Sequence, residues 1–166
     1  MKIIKEIMSY LIIILIVVII RTFIVTPVKV DGLSMYPTLN DKDVLLLKKY
    51  DRSFERFDIV VIKFNNTKLV KRIIGLPGES VKIANNNLYI NHSLVEDVKL
   101  DVKTEDFSIS ELGYDIIPEG YYFVLGDNRV NSVDSRTSAV GLISKDDIIG
   151  VTSFRIFPFN KIGGFK

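Results

Sequence analysis

The sequence predicts a mostly β body of about 140 residues carried on a single N-terminal apolar helix. Three observations carry that reading. Residues 7–25 hold one charge, Arg21, in 19 positions. Pro27 then stops any helix, because it cannot donate to the hydrogen-bond ladder and biases Thr26 to an extended backbone. Beyond it the apolar residues come in short runs separated by Gly, Pro, Asn and Asp, the pattern of strands and turns.

The elements follow in order. Residues 1–6 are expected as a short cytoplasmic tail and 7–25 as a transmembrane anchor, since a bilayer span needs roughly 20 residues and Arg21 can snorkel from the last turn. A removable signal peptide would need small residues shortly after the apolar stretch, and Arg21-Thr22-Phe23-Ile24-Val25-Thr26-Pro27 has no Ala-x-Ala pattern. Lys2 and Lys5 before the span and Arg21 and Lys29 after it leave orientation undecided by charge. Strands are expected at Val28–Val30, Val44–Leu47, Ile59–Ile62, Lys68–Ile74, Tyr121–Leu125 and Ile148–Ile156. Ser80–Ile83 and Leu88–Ile90 form a hairpin about Asn85-Asn86-Asn87. The acidic stretch Glu96–Glu111 reads as an irregular surface excursion.

Composition narrows the chemistry. Without cysteine there are no disulfides, thiol nucleophiles or zinc–thiolate sites. A formal net charge of +2 with dispersed basic residues gives no nucleic-acid footprint. The one histidine, His92, lies in a polar turn-like setting. Ser34, in Gly32-Leu33-Ser34-Met35-Tyr36-Pro37-Thr38-Leu39, needs a base to act as a nucleophile, and a lysine can serve only if its pKa falls from about 10.4 toward ambient pH. Lys71 is the candidate. On a strand it shares a face with Leu69 and Ile73, while Lys68 and Arg72 fall on the other. The same pattern also suits an edge lysine that discourages sheet pairing. A third segment, Gly126-Asp127-Asn128-Arg129-Val130-Asn131-Ser132-Val133-Asp134-Ser135-Arg136, follows a core strand directly. So many polar groups are costly to bury unless they pair with one another, as a network supporting a catalytic centre would.

Taken together, the anchor, the Ser-Met-x-Pro-Thr-Leu run, Lys-Arg-x-x-Gly-x-Pro-Gly and Gly-Asp-Asn-Arg…Asn-Ser-x-Asp-Ser-Arg resemble bacterial type I signal peptidase, a Ser/Lys serine protease. The resemblance implies two antiparallel sheets in one catalytic domain, residues 27–166, outside the plasma membrane, behind a single-pass helix with its N-terminus in the cytoplasm. It implies removal of signal peptides from exported preproteins after small residues of the Ala-x-Ala type. By the same resemblance Ser34 is the nucleophile, Lys71 the general base, and the Ser34 N–H an oxyanion donor. Ser132 orients the lysine, and Asp134 and Arg136 hold the site together. Val28, Val30, Met35, Leu39 and Val70 match positions lining the substrate pockets. The partners implied are signal peptides and membrane lipid, with the protein a monomer and no cofactor, metal or nucleic acid involved.

The chain departs from the family pattern at three places. Gly32 stands where some members carry a second oxyanion donor, Glu79 where an Asp is more usual, and Val130 where an acidic or amide residue is more usual. Two other classes remain in view: a membrane-tethered binding protein without chemistry, which would be expected to lack Ser34 or Lys71, and a self-processing Ser/Lys regulator, which would carry a DNA-binding region instead of the anchor.

Overall fold

The computed structural model describes residues 2–50, 52–97 and 103–165. Its first element, α1 (Lys2–Ile19), continues as π-helical turns through Ile24. The stretch Ile3–Ile24 has a mean hydropathy of 2.7 and none of it is buried against the rest of the chain. At 1.5 Å per residue, 22 residues reach about 33 Å, enough to cross a bilayer by length and composition. The expected span 7–25 lies inside this helix except for Val25, which already opens the first strand. The helix exit is held: Lys49 Nζ donates to the Thr22 carbonyl at 3.2 Å, Thr26 Oγ1 to the Arg21 carbonyl at 2.6 Å, and Lys49 N–H to the Ile24 carbonyl at 3.0 Å. Carbonyls that a helix end leaves orphaned therefore find donors.

Among the described residues, twelve strands follow: β1 (Val25–Lys29), β2 (Val44–Lys48), β3 (Ile59–Phe64), β4 (Thr67–Gly75), β5 (Val81–Ala84), β6 (Asn87–Ile90), β7 (Ser93–Val95), β8 (Phe107–Ser108), β9 (Tyr121–Leu125), β10 (Ile143–Ser144), β11 (Ile148–Phe157) and β12 (Gly163–Gly164). They make two antiparallel sheets. The larger runs β1-β2-β11-β3-β4-β9-β10, with β12 beside β11; the smaller runs β7-β6-β5-β8. The run Ile59–Ile62 lacks alternation because both its faces are covered. Ile59 and Val61 pack with Met35, Leu39 and Val70 on one side, and Val60 and Ile62 pack with Ile73 and Val124 on the other. The two sheets meet where Ile74, Phe123 and Leu125 pack on Val81, Ile83 and Phe107. Gly75 permits that approach, since a methyl there would sit 2.5 Å from Ile117 Cδ1 and 2.6 Å from Val81 Cγ2.

All the expected strands are present, and the hairpin turns on Asn85 and Asn86, both at positive φ (51° and 65°), as a two-residue turn with right-handed strand twist requires. The expectation for Glu96–Glu111 needs correcting. Residues 98–102 lie outside the described residues, but Phe107 pairs with Ile83 of β5, stacks on Phe123 at 5.2 Å and is buried, as is Ile109. Two large apolar side chains are enough to bring an acidic segment into the core. The short strands β7, β8, β10 and β12 carry too few residues to show a period.

Candidate active site

Lys71 lies in the interior of the larger sheet, with β3 on one side of β4 and β9 on the other, so the edge reading fails. It faces the way the alternation predicts. Val60 opposes it in the ladder, Ile73 and Leu69 flank it, and it is 2% exposed while Lys68 is open to solvent. The last ladder pair between β4 and β9 is Arg72 with Leu125. One residue further on, Gly126 leaves the sheet at the level of Lys71, and the polar loop starts there. Burial pulls the Lys71 ammonium down from 10.5 to about 8. The Asp134 carboxylate resists that, the Arg136 guanidinium adds to it, and the Asp127 carboxylate resists it more weakly. A lysine at about 8 is partly neutral near physiological pH and able to accept a proton.

The loop is a closed network. Asp134, fully buried, accepts from the Gly126 N–H at 3.0 Å and from Arg136 Nε and Nη2 at 2.9 Å each. Arg136 Nη2 also donates to the Arg129 carbonyl at 2.7 Å, and Ser135 exchanges hydrogen bonds with the Val124 backbone at 3.0 and 3.1 Å. The expected Asp134–Arg136 pair is thus a buried fixture, not an exposed surface bridge.

Ser34 sits half-buried in a turn that this loop clasps. Asn128 donates from its backbone N–H to the Ser34 carbonyl at 3.0 Å and from Nδ2 to the Leu33 carbonyl at 3.1 Å. From beneath, Arg155 Nη2 donates to the Thr38 carbonyl at 2.7 Å while its Nε lies 3.1 Å from Asp43, whose carboxylate also accepts from the Asn40 N–H. Gly126 is where the pieces converge. A methyl on it would run into the Ser132 side chain and come within 2.5 Å of the Ser34 carbonyl oxygen, so only glycine fits. The Ser132 hydroxyl is buried and makes no hydrogen bond among the described residues. Val28, Val30, Met35, Leu39 and Val70 all belong to one buried cluster beside this turn.

Several site residues escaped the sequence reading. Arg72, placed with Lys68 on the face opposite Lys71 and given no role, is fully buried and grips Asp127 through Nε and Nη2 at 2.8 and 2.6 Å, with Nη1 on the Phe57 carbonyl. The available signal was a strand apolar enough to be covered on both faces, which forces any charge within it to pair. Arg129 pairs with Asp97 at 2.6 Å, a partner outside the loop that no local pattern indicates. The Gly32 N–H is spent on Asp41 at 2.8 Å, and its φ of +94° suits glycine. Glu79 is structural, binding Arg56 in bidentate fashion and accepting from the Leu76 N–H. His92 is exposed and lines a cleft of about 400 Å³ on the smaller sheet, together with Lys82, Tyr89 and Tyr114, remote in topology from β4 and β9.

A serine turn braced against a loop whose Asp134, Arg136 and Asp127 act electrostatically on a buried lysine fits the class of serine peptidases. Comparison with known proteins agrees: residues 3–157 match the family described as signal peptidase, peptidase S26. The chain belongs to that family and is a serine endopeptidase. It is 41% identical over 163 residues to signal peptidase I of Bacillus amyloliquefaciens, covering 93% of this chain and 88% of that one. It is 42% identical over 153 residues to signal peptidase I S of Bacillus subtilis, covering 86% and 83%. The crystal structure of a signal peptidase I from Enterococcus faecalis superposes with a TM-score of 0.55 at 37% identity, covering 60% of this chain and 96% of that one.

Proposed function

We propose that the chain is a membrane-anchored endopeptidase that removes signal peptides from exported preproteins, cutting after small residues through a Ser34–Lys71 dyad. The observation that carries this is Lys71: a lysine on an interior strand, pulled to about 8 by burial, beside a loop that holds the Ser34 turn. The neutral Lys71 amine takes the proton from Ser34 Oγ as that oxygen attacks the scissile carbonyl. The Ser34 N–H stabilises the oxyanion. As the tetrahedral adduct collapses, the C–N bond breaks and the lysinium returns its proton to the departing amine, leaving an acyl ester on Ser34. Water, deprotonated by the same amine, then hydrolyses the ester and restores the hydroxyl.

Ser132, buried with an unengaged hydroxyl, is suited to accept a hydrogen bond from the Lys71 ammonium and orient it. Asp134 and Arg136 hold the loop that carries Ser132. Val28, Val30, Met35, Leu39 and Val70 supply shallow apolar walls for the small side chains before the cut bond. The preprotein lies extended beside β1, pairing through backbone as an added strand. The helix Ile3–Ile24 anchors the enzyme in the plasma membrane, single-pass, with a short cytoplasmic N-terminus, residues 27–166 on the outer face, and the protein working as a monomer.

The test is cleavage of a signal-bearing preprotein in detergent with sequencing of the new N-terminus. Ser34→Ala and Lys71→Met are each expected to lower the rate by at least about 10³-fold while leaving the fold intact. Retained cleavage by either variant refutes the dyad. Binding without cleavage by the wild type would instead favour a tethered binding protein.

A further inference from the structure

Three apolar side chains beside the proposed catalytic residues stand in solvent. Val130 is 76% exposed, Val133 61% and Leu33 50%. Singly, such residues are ordinary on a protein surface. Here Leu33 directly precedes Ser34, Val133 directly follows Ser132, and Val130 lies two residues before it. The exposure of Val130 is set by the backbone. Arg129 N–H donates to the Asp127 carbonyl at 3.0 Å, and Asn131 N–H donates to the Asn128 carbonyl at 3.1 Å and to its Oδ1 at 3.2 Å. Those bonds close a pinned turn that presents Val130 outward. The surrounding loop is otherwise strongly polar, so the exposed valines stand out within it.

The two flanks of the Ser34 turn differ. Val28, Val30, Met35, Leu39 and Val70 cluster on the face of β3 and β4 that carries Ile59 and Val61. The loop 126–136 instead follows β9, five places from β1 in the sheet order, and meets the turn through Asn128, which holds the Leu33 and Ser34 carbonyls. A polypeptide cut at Ser34 must have its acyl part on one side of the nucleophile and its amine part on the other. With the acyl part beside β1, as proposed above, the amine part runs toward the loop that bears the exposed valines.

Resting on the function proposed above, we infer that Val130, Val133 and Leu33 form an apolar subsite for the first residues of the mature protein, those on the amine side of the cut bond, and that this subsite favours apolar side chains there over charged ones. The valines have no hydrogen-bonding group with which to replace the water around a carboxylate or ammonium, so a charged residue gains nothing from contact and loses hydration. Because the subsite is open, discrimination is modest, about fivefold for a Leu against an Asp or Lys.

The experiment uses the full chain in detergent micelles and three signal-bearing peptides that are identical except for Leu, Asp or Lys as the second residue after the cut bond. The readout is the ratio of kcat/KM values within one enzyme sample, which does not depend on the fraction folded. Wild type is expected to prefer Leu about fivefold over both charged peptides. Val130→Asp should abolish that preference and place Lys above Asp, and the nearly isosteric Val130→Thr should reduce the Leu advantage about twofold. Equal ratios in wild type and both variants overturn the subsite. Unchanged ratios combined with slower cleavage of preproteins embedded in vesicles overturn it too, and show that the valines touch lipid instead. Failure of wild type to cut any of the three peptides removes the underlying reading, a result separable from unchanged ratios with active enzyme.

Discussion

Lys71 differs from the other lysines among the described residues in where its four-carbon stem is stored. Lys68, three positions earlier on the same strand, is in water; Lys71 is buried, with Val60 of β3 opposite it and the β4–β9 ladder ending one residue away at Arg72. With its pKa near 8, the neutral amine, the form that the proposed mechanism needs, is the minor species at neutral pH and its share falls as acid is added. The kcat/KM profile should therefore rise through about pH 8 and drop about tenfold per pH unit on the acid side. A profile flat from pH 6 to 9 would exclude this group as the base. Lys71→Arg keeps the charge but cannot release a proton, so it is expected to be as inactive as the Met variant. At this scale the sequence was informative: strand alternation set Lys71 against apolar surface, where it lies, and the polar loop after a core strand pointed to a buried network. It was silent on Arg129–Asp97 and Arg155–Asp43, because partners far apart in sequence are brought together only by the sheet order.

At the scale of elements, β4 is the strand on which the site depends, and one ion pair ties it to the loop. Arg72 and Asp127 have side chains 1% and 0% exposed. Asp127→Asn preserves shape but leaves a buried guanidinium without its counter-charge, and is expected to destabilise by about 3–5 kcal/mol in urea unfolding. Lys42 and Asp31, at 2.8 Å, look similar on paper but are 55% and 89% exposed. Asp31→Asn should cost under about 1 kcal/mol, and an equal loss in the two variants would contradict the burial argument. The long strands were legible because five or more residues show a period or a dense apolar run. Two-residue strands such as β8 and β10 exist only because a neighbour offers an unpaired edge, information that no local window contains. Phe107 illustrates this: its acidic surroundings concealed a residue that closes the core between the sheets.

For the whole molecule, the division into an apolar helix and a β body was legible from hydropathy and Pro27 alone, whereas the direction of insertion was not, since two positive charges flank each end. In the proposed orientation, carbonate washing should leave the chain in the membrane pellet, and protease added outside intact spheroplasts should digest the β body. A protected body would reverse the assigned direction. The coupling between these two parts has no slack. The helix runs into β1 at Val25 without a linker, and Lys49 fastens its last carbonyls. From there to Lys29 the strand climbs about 13 Å at 3.3 Å per residue, and the serine turn follows at once. With the orientation and nucleophile proposed above, such a joint would act as a fixed-length gauge: the blade would stand at one set height above the lipid, and only a bond presented at that height would meet it.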